Sequence, residues 1–313
     1  MAFAFDSLNT HPVCYAWPVE FTMTVSERFN ALLENLKLTS DQAEDGQTKH
    51  KGVTACLNSH YYNSSSETTN RLLVGSWGKQ TRIRPPRDVD VLISLPKSVY
   101  DRYQWRLGNK QSQLLQEVKD VLAETYSLTA VRGDGPVVVV PFTSYAVEVV
   151  PAFLLDNGQY WICNTKNGGV YENFDPNVES KNISDSDTAT SGNTRHLVRM
   201  MKCWQGYCNV PLSTFRLELL AIEFLGSWEF KGNSTVYYDW MVRDFFKFLV
   251  GRADGWVFAP GTCKSVSLGN AWKSKTESAR DRAVKACQHE ADSMPFSAGE
   301  EWQKIFGMDI PTG

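Results

Sequence analysis

The sequence predicts an α+β protein with two lobes, a mixed sheet with helices followed by a bundle of helices. Runs of β-branched residues at strand spacing are concentrated in the first half of the chain. Apolar residues at three-to-four spacing fill the second half, after a polar, turn-rich stretch at 164–193 that we interpret as a linker. We therefore expect a first domain at 1–175 and a helical domain at 176–313.

The individual elements follow from local periodicity and turn residues. In the first lobe the pattern predicts helices at 20–38 and 41–62, strands at 71–77 and 89–95, a helix at 109–126, strands at 136–142 and 145–150, and a hairpin turn at 156–158 leading into 160–162. In the second lobe it predicts helices at 194–207, 214–228, 235–250 and 271–292.

Composition is typical of a globular cytoplasmic protein. Of the 313 residues, 42% are apolar, which is ample for a packed core. The longest apolar stretches fall well short of the ~20 residues that a membrane span needs. The N-terminus lacks the basic start and long apolar segment of a signal peptide. Seven cysteines without regular spacing indicate reduced thiols, so we expect a cytoplasmic location.

The net charge of −3, from 32 basic and 35 acidic residues, argues against one class of partner. A protein that holds long RNA or DNA through the phosphates normally has a basic surface. Small charged ligands need only one or two well-placed cations. Long nucleic acid is therefore not expected as a partner, whereas nucleotides remain open.

Three carboxylates form the candidate chemical site. Asp88 and Asp90 lie two residues apart in a predicted strand and so point to the same face. Glu148 is the one charge inside the apolar strand "YAVEVVPAF". If the two strands are neighbours, the three acids converge, and such a cluster repels itself unless divalent cations neutralise it. Oxygen ligands suit Mg²⁺ or Mn²⁺, and two such ions can clamp the attacking and leaving oxygens of a phosphoryl transfer.

Simpler interpretations exist for each of these residues. An Asp-X-Asp pair often occurs by chance, and Glu148 alone can pair with a buried arginine. Gly75 and Ser76, about a dozen residues before the aspartates, form a turn that offers backbone N–H groups and a hydroxyl to a phosphate. Alone, that pair indicates an ordinary tight turn. The combination with the acids favours a phosphate site.

The segments "GSWGKQTRIRPPRDVDVLISLP" and "VEVVPAF" together resemble the signature of the polymerase-beta-like nucleotidyltransferase superfamily. Within it the chain is similar to the bacterial cGAS/DncV-like nucleotidyltransferases, the CD-NTases of SMODS type. The similarity continues in "TSGNTRHLVRMMKCWQ", "PLSTFRLELLA" and the terminal "EEWQKIFGMDIP", so it covers nearly the whole chain.

The resemblance implies roles for named residues. Asp88, Asp90 and Glu148 match the family's catalytic, metal-binding acids, which hold two Mg²⁺ or Mn²⁺ ions. The remaining matches concern the bound nucleotide: Gly75 and Ser76 match the turn that holds the donor triphosphate, Lys202 matches a phosphate-gripping lysine, Thr214 or its neighbour Ser213 matches a phosphate-binding hydroxyl, and Phe215 matches an aromatic ring that stacks on a base. Threonine departs from the usual serine at this hydroxyl.

The residues of the helical lobe also have structural interpretations. Lys202 fits a solvated lysine beside an apolar face, Thr214 fits the N-cap of the helix that it opens, and Phe215 fits a core residue. His196, Cys203 and Cys208 are an incomplete set of zinc ligands that the packing of small thiols explains as well.

As to function, the resemblance implies a metal-dependent nucleotidyltransferase. It would make a cyclic di- or trinucleotide second messenger from ATP and other NTPs, with release of pyrophosphate, in bacterial anti-phage (CBASS) signalling. A regulatory partner at the C-terminus is suggested as well, because some relatives are regulated through a conjugated C-terminus. Two alternatives remain: an enzyme that makes a linear product on RNA or a small molecule, and a nucleotide sensor without catalysis.

Overall fold

The structure is a computed structural model that describes residues 23–262 and 264–313. In these ranges the chain forms eleven α-helices and nine β-strands, together with short 3-10 turns. In chain order the elements are α1 (Val25–Asn35), α2 (Ser40–Tyr62), β1 (Arg71–Leu73), α3 (Gly75–Gly78), β2 (Asp88–Ser94), α4 (Lys97–Gln104), α5 (Lys110–Thr125), β3 (Arg132–Asp134), β4 (Val137–Pro141), β5 (Ala146–Leu154), β6 (Tyr160–Asn164), β7 (Val170–Phe174), α6 (Pro176–Ala189), α7 (Asn193–Tyr207), α8 (Thr214–Ser227), α9 (Tyr238–Val250), β8 (Trp256–Phe258), β9 (Ser265–Ser267), α10 (Lys273–Ala291) and α11 (Pro295–Phe306).

Seven strands form one mixed sheet, which confirms the predicted fold class. Its order is β1-β2-β5-β4-β3, and β6 and β7 extend it beside the second half of β5. β2 and β5 are parallel, whereas the other pairs are antiparallel. The parallel pair is central, and its apolar residues Val89, Val91, Val147 and Val149 are fully buried against α2 and α5. This pair fixes where the acids at its N-terminal half are placed.

The first predicted elements are shorter in the structure than in the sequence pattern. The first helix begins at Val25 because Thr24 and Glu27 form a reciprocal capping box; residues 20–22 of the predicted helix lie outside the described part. The strand predicted at 71–77 ends at Leu73, because the chain turns at Gly75 into the short helix α3. The hairpin between β5 and β6 is confirmed by its backbone pairing.

The prediction of a linker at 164–193 is wrong. The segment contains strand β7, which completes the sheet beside β6, and the fourteen-residue helix α6. Asp175 caps α6 through the N–H of Val178, and Pro176 occupies its first turn, a favourable start for a helix. Periodicity did not indicate α6, because in this helix only Pro176 and Ile183 are buried.

The apolar core has two main parts. One fills the space between the sheet and α2 and α5, and the other joins α7 to α11. α1 belongs to the second part: Phe29, Leu32 and Leu36 are fully buried among the helices of the C-terminal half. Arg28, also fully buried, donates from Nη1 to the carbonyl oxygens of Pro311 and Thr312. α1 therefore packs with the C-terminal helices and not against the sheet, although it precedes the predicted boundary. The division of the chain at 175/176 stays a prediction.

No helix in the described part of the chain is both long enough and apolar enough to cross a membrane.

Candidate functional site

A cavity of about 400 Å³ lies between the sheet and the helical lobe. The sheet side contributes α3, the loop after it and the start of β2; the helical side contributes α6, α7 and α8. Of the residues predicted from sequence, Gly75, Ser76, Asp88, Asp90, Lys202, Thr214 and Phe215 line this cavity. The cavity therefore brings together parts of the chain that are more than a hundred residues apart.

Asp88 and Asp90 are the first and third residues of β2. Both are half-buried, whereas Val89 between them is fully buried. Parallel pairing places Glu148 of β5 directly beside Asp90. Since registered residues of adjacent strands point to the same face, all three carboxylates lie on one side of the sheet. Glu148 itself is half-buried and is not part of the cavity wall.

The three acids interact through their charges. Burial and the neighbouring Asp88 carboxylate raise the pKa of Asp90 to about 6, against the influence of Lys202 and Lys79. Burial, then Asp90 and Asp88, raise the pKa of Glu148 to about 7. Each anion is thus held in a site that disfavours negative charge. An oxygen-only donor set of this kind fits a hard divalent cation, which would relieve the repulsion.

Gly75 sets the position of Asp90. The glycine has a left-handed φ of +54°, and a Cβ added to it would lie only 1.8 Å from Asp90 Oδ2. The Asp90 carboxylate therefore lies directly on the Gly-Ser turn, where the backbone N–H of Ser76 acts to lower its pKa. Within residues 23–262 and 264–313, no three His, Cys, Asp or Glu side chains are grouped closely enough to hold a metal ion. The acids share a face, but they do not form a closed ligand set.

Lys202 of α7 points toward the sheet lobe. Its Nζ donates to Thr81 O at 3.0 Å and to Thr81 Oγ1 at 2.8 Å, in the loop that follows α3. The side chain is buried, so the interpretation as a solvated lysine is wrong. Burial lowers the pKa of Lys202 to about 8. The lysine thus fixes the loop behind the Gly-Ser turn while it lines the cavity.

The start of α8 differs in one detail from the sequence interpretation. Ser213, not Thr214, is the N-cap, because Ser213 Oγ accepts the N–H of Arg216. A helix can have only one N-cap, and Thr214 already has helical geometry as the first residue. Thr214 and Phe215 both line the cavity, whereas Ser213 does not. Phe215 also packs against the helical core, so its two interpretations coexist.

A buried ionic cluster, which the sequence did not indicate, crosses the cavity. Lys79 Nζ lies 2.8 Å from Glu218 Oε1 and 2.9 Å from Glu179 Oε2, and 5.1 Å from the centre of the Phe215 ring. Lys79 follows the Gly-Ser turn, and Glu218 is one helical turn beyond Thr214. In the sequence, the only sign that Lys79 and Glu218 belong to the site is that each lies three or four residues after a predicted site residue. Glu179 lies in the segment misinterpreted as a linker.

The zinc question concerns three residues of α7 and the loop after it. His196 Nδ1 contacts the Tyr238 hydroxyl at 2.6 Å, Cys203 contacts the Phe306 carbonyl, and Cys208 contacts the Ile305 carbonyl. These three side chains contact different neighbours. The contacts of His196, Cys203 and Cys208 are therefore those of side chains packed within the helical lobe.

Comparison with known proteins identifies relatives. Residues 23–187 match the model of the Second Messenger Oligonucleotide or Dinucleotide Synthetase (SMODS) domain. No curated protein sequence matches the chain.

Several solved structures share the fold. The Escherichia coli CdnC structure with ATP is similar with a TM-score of 0.67 and 16% identity, over 91% of this chain and 98% of that one. The Escherichia coli CdnC structure in complex with HORMA-deltaN has a TM-score of 0.65 and 16% identity, over 90% of this chain and 96% of that one. A third structure is the Vibrio cholerae DncV cyclic AMP-GMP synthase in complex with the linear intermediate 5' pppA(3',5')pG. Its TM-score is 0.67 and its identity 13%, over 92% of this chain and 95% of that one. At such identities these likenesses show the fold.

Proposed function

The chain belongs to the Second Messenger Oligonucleotide or Dinucleotide Synthetase family, and on this basis we propose that it joins nucleoside triphosphates into a cyclic di- or trinucleotide with release of pyrophosphate. The observation that carries the proposal is the placement of Asp88 and Asp90 beside the Gly75–Ser76 turn in one cavity, with Glu148 in register next to Asp90. Acids next to a phosphate-binding turn are what nucleotidyl transfer requires.

The proposed reaction assigns each group one task. The Gly75–Ser76 turn offers N–H groups to the donor triphosphate, and Lys202 and Thr214 add donors from the helical lobe. An acceptor ribose hydroxyl attacks the α-phosphorus; its O–P bond forms as the bond to the β-phosphate oxygen breaks, and pyrophosphate leaves. Glu148 lies in register with Asp90 as a ligand of the metal ions proposed below, whose charge would favour loss of the hydroxyl proton to water. A second transfer between the two nucleotides closes the ring.

Asp88, Asp90 and Glu148 are proposed to hold two Mg²⁺ or Mn²⁺ ions. Such ions supply charge stabilisation for the attacking and leaving oxygens. The support from this chain is the oxygen-only donor set and the raised pKa values of Asp90 and Glu148.

The substrates and setting rest on relatives. CdnC has been solved with ATP, so we propose ATP and other NTPs as substrates. CdnC has also been solved with HORMA-deltaN, and we propose a regulatory partner for this chain at its C-terminal residues, within anti-phage signalling. Gly313 is exposed beyond Thr312, which Arg28 anchors.

The product decides between the proposed functions. Purified protein is incubated with labelled ATP, GTP, CTP and UTP, singly and mixed, with Mg²⁺ or Mn²⁺, and then treated with phosphatase and separated by chromatography. A phosphatase-resistant product is expected from a cyclase. A phosphatase-sensitive product indicates a linear one, and the absence of any turnover indicates a nucleotide sensor. The near-balanced charge already argues against long RNA as an acceptor.

Stabilisation by the metal is expected to depend on pH. The folded pKa values of Asp90 and Glu148, about 6 and about 7, exceed their ordinary values of 3.8 and 4.5. In the metal-free protein these groups contribute stability below the ordinary values, and that stability is lost as pH rises through 6 to 7. MgCl₂ is therefore expected to raise the thermal midpoint clearly at pH 8 and hardly at pH 5, where the acids bind protons.

Thermal melting at both pH values measures this effect. An Asp88→Asn, Asp90→Asn double variant is the control and is expected to show no response to MgCl₂. Equal stabilisation of the unmodified protein at pH 5 and pH 8 would contradict the assignment of the acids as ion ligands.

A further inference from the structure

The cavity wall contains four cationic side chains: Lys79, Arg82, Arg87 and Lys202. A nucleoside triphosphate brings a highly charged anion into a cavity that already contains Asp88 and Asp90. Cations with unused hydrogen-bond donors are needed to receive it. Which of the four are available follows from their contacts.

Lys79 and Lys202 are largely engaged. Lys79 is only 6% exposed and lies between two carboxylates, Glu179 and Glu218, which together outweigh its charge. Lys202 is 7% exposed and already donates twice to Thr81. Lys79 cannot turn to a ligand without leaving buried partners behind, and Lys202 keeps only one of its three N–H donors for a phosphate.

Arg82 and Arg87 are held in place but keep their donors. In the described part of the chain neither makes an ion pair, and both belong to the loop that joins α3 to β2. The Arg82 guanidinium lies 4.9 Å from the centre of the Trp77 ring, on which it is stacked. Arg87 directly precedes Asp88 and reaches across to α7, where its Nη1 is 3.5 Å from Gln205 Oε1.

The backbone of α7 makes room for Arg87. A Cβ at Gly206 would lie 2.5 Å from Arg87 Nη2, so the guanidinium packs directly on this glycine. Stacking on Trp77 and packing on Gly206 limit the rotamers of the two arginines before any ligand arrives, which lowers the entropy cost of binding. A guanidinium offers five N–H donors in a planar fork that matches a phosphate.

We propose that Arg82 and Arg87 bind the phosphates of the nucleoside triphosphate in this cavity, one from the side of α3 and the other from the side of α7. This inference rests on the proposed function for the identity of the ligand. It assigns phosphate recognition to two residues that the family motifs did not select. Lys79 is left with a structural task.

The test compares a ligand with phosphates and one without. α,β-Methylene-ATP, which cannot react at the α-phosphorus, and adenosine are titrated calorimetrically into the full chain in the presence of MgCl₂. Arg82→Gln and Arg87→Gln are each expected to weaken binding of α,β-methylene-ATP about 10- to 100-fold and to leave adenosine binding unchanged. Arg82→Lys and Arg87→Lys keep the charge without the fork and are expected to fall between.

Arg280→Gln is the matched control, because Arg280 pairs with Asp281 on α10 away from the cavity. It removes the same charge and is expected to change neither affinity. Equal weakening of both ligands by Arg82→Gln or Arg87→Gln, or no weakening of α,β-methylene-ATP, would overturn the inference. The titration needs no turnover, so a chain that binds through these arginines but makes no product would refute the proposed reaction alone.

Discussion

Asp90→Asn is expected to abolish product formation and, at the same time, to make the metal-free protein harder to unfold at neutral pH. Removal of a ligand of the proposed metal ions is expected to cost several kcal/mol of transition-state stabilisation, or about a thousandfold in rate. The opposite effect on stability follows from burial. The pKa of Asp90 is raised to about 6, so its charge is unfavourable in the folded state at pH 7.

The expected gain in stability is about 1–3 kcal/mol, since one unit of pKa shift corresponds to 1.36 kcal/mol. Urea unfolding at pH 7 without metal measures it, and the NTP assay measures the product. Asp134→Asn is a matched control: this exposed carboxylate on β3 also raises the pKa of Glu148, but it does not line the cavity. Its product yield is expected to stay within about twofold. Lower stability, or near-normal product, in Asp90→Asn would contradict the site as described.

Lys79→Met is expected to destabilise the fold more than any substitution of an exposed lysine. Burial works against the charge of Lys79, but Glu218 and Glu179 outweigh it, so that the pKa is raised. Loss of the ammonium leaves two carboxylates close together, and removal of one partner from a buried ion pair costs about 3–5 kcal/mol. The thermal midpoint and the urea midpoint are both expected to fall.

Two further variants test this explanation. Adding Glu218→Gln to Lys79→Met removes one of the stranded charges and is expected to recover part of the lost stability. Lys97→Met breaks an ion pair with Asp101 whose side chains are 84% and 52% exposed, and it is expected to cost less than about 1 kcal/mol. If Lys79→Met behaves like Lys97→Met, the ionic cluster is not a structural link between the lobes.

The placement of the three acids in two strands could be predicted because its signal is local. Alternation of Asp88 and Asp90 with buried valines reports a strand with one polar face, and Glu148 stands alone in an apolar run. The pairing of β2 with β5 joins strands that are distant in the sequence. It could still be anticipated, because three acids that share one counter-ion must lie on neighbouring strands. The roles of the acids as metal ligands stay a prediction.

The residues that were missed depend on long-range contacts. Lys79 sits in a predicted motif, but nothing local shows that Glu218, 139 positions later, is its partner. β7 contains the strand-forming residues Val170, Tyr171 and Phe174, but it is short and lies within a polar, turn-rich stretch that conceals it. α4, α11 and the small β8–β9 hairpin were not predicted either; β8 and β9 have only three residues each. Strands as short as β8 and β9 are stabilised by the surfaces they cover rather than by propensity.

The position of α1 has a consequence for how the protein is made. Among the described helices α1 is synthesised first, and with the residue that follows it contributes Phe29, Leu32 and Leu36 to a core whose other members lie mostly in the C-terminal half of the chain. The native contacts of this apolar face with α7 and α9 form only after those helices have been translated, and its contacts with α11 and the carbonyl oxygen of Pro311 come last. The nascent chain must therefore keep an aggregation-prone stripe protected for most of its synthesis. If the chain were expressed as two fragments divided at 175/176, α1 would be on the N-terminal fragment, whereas the core that it completes would be on the other.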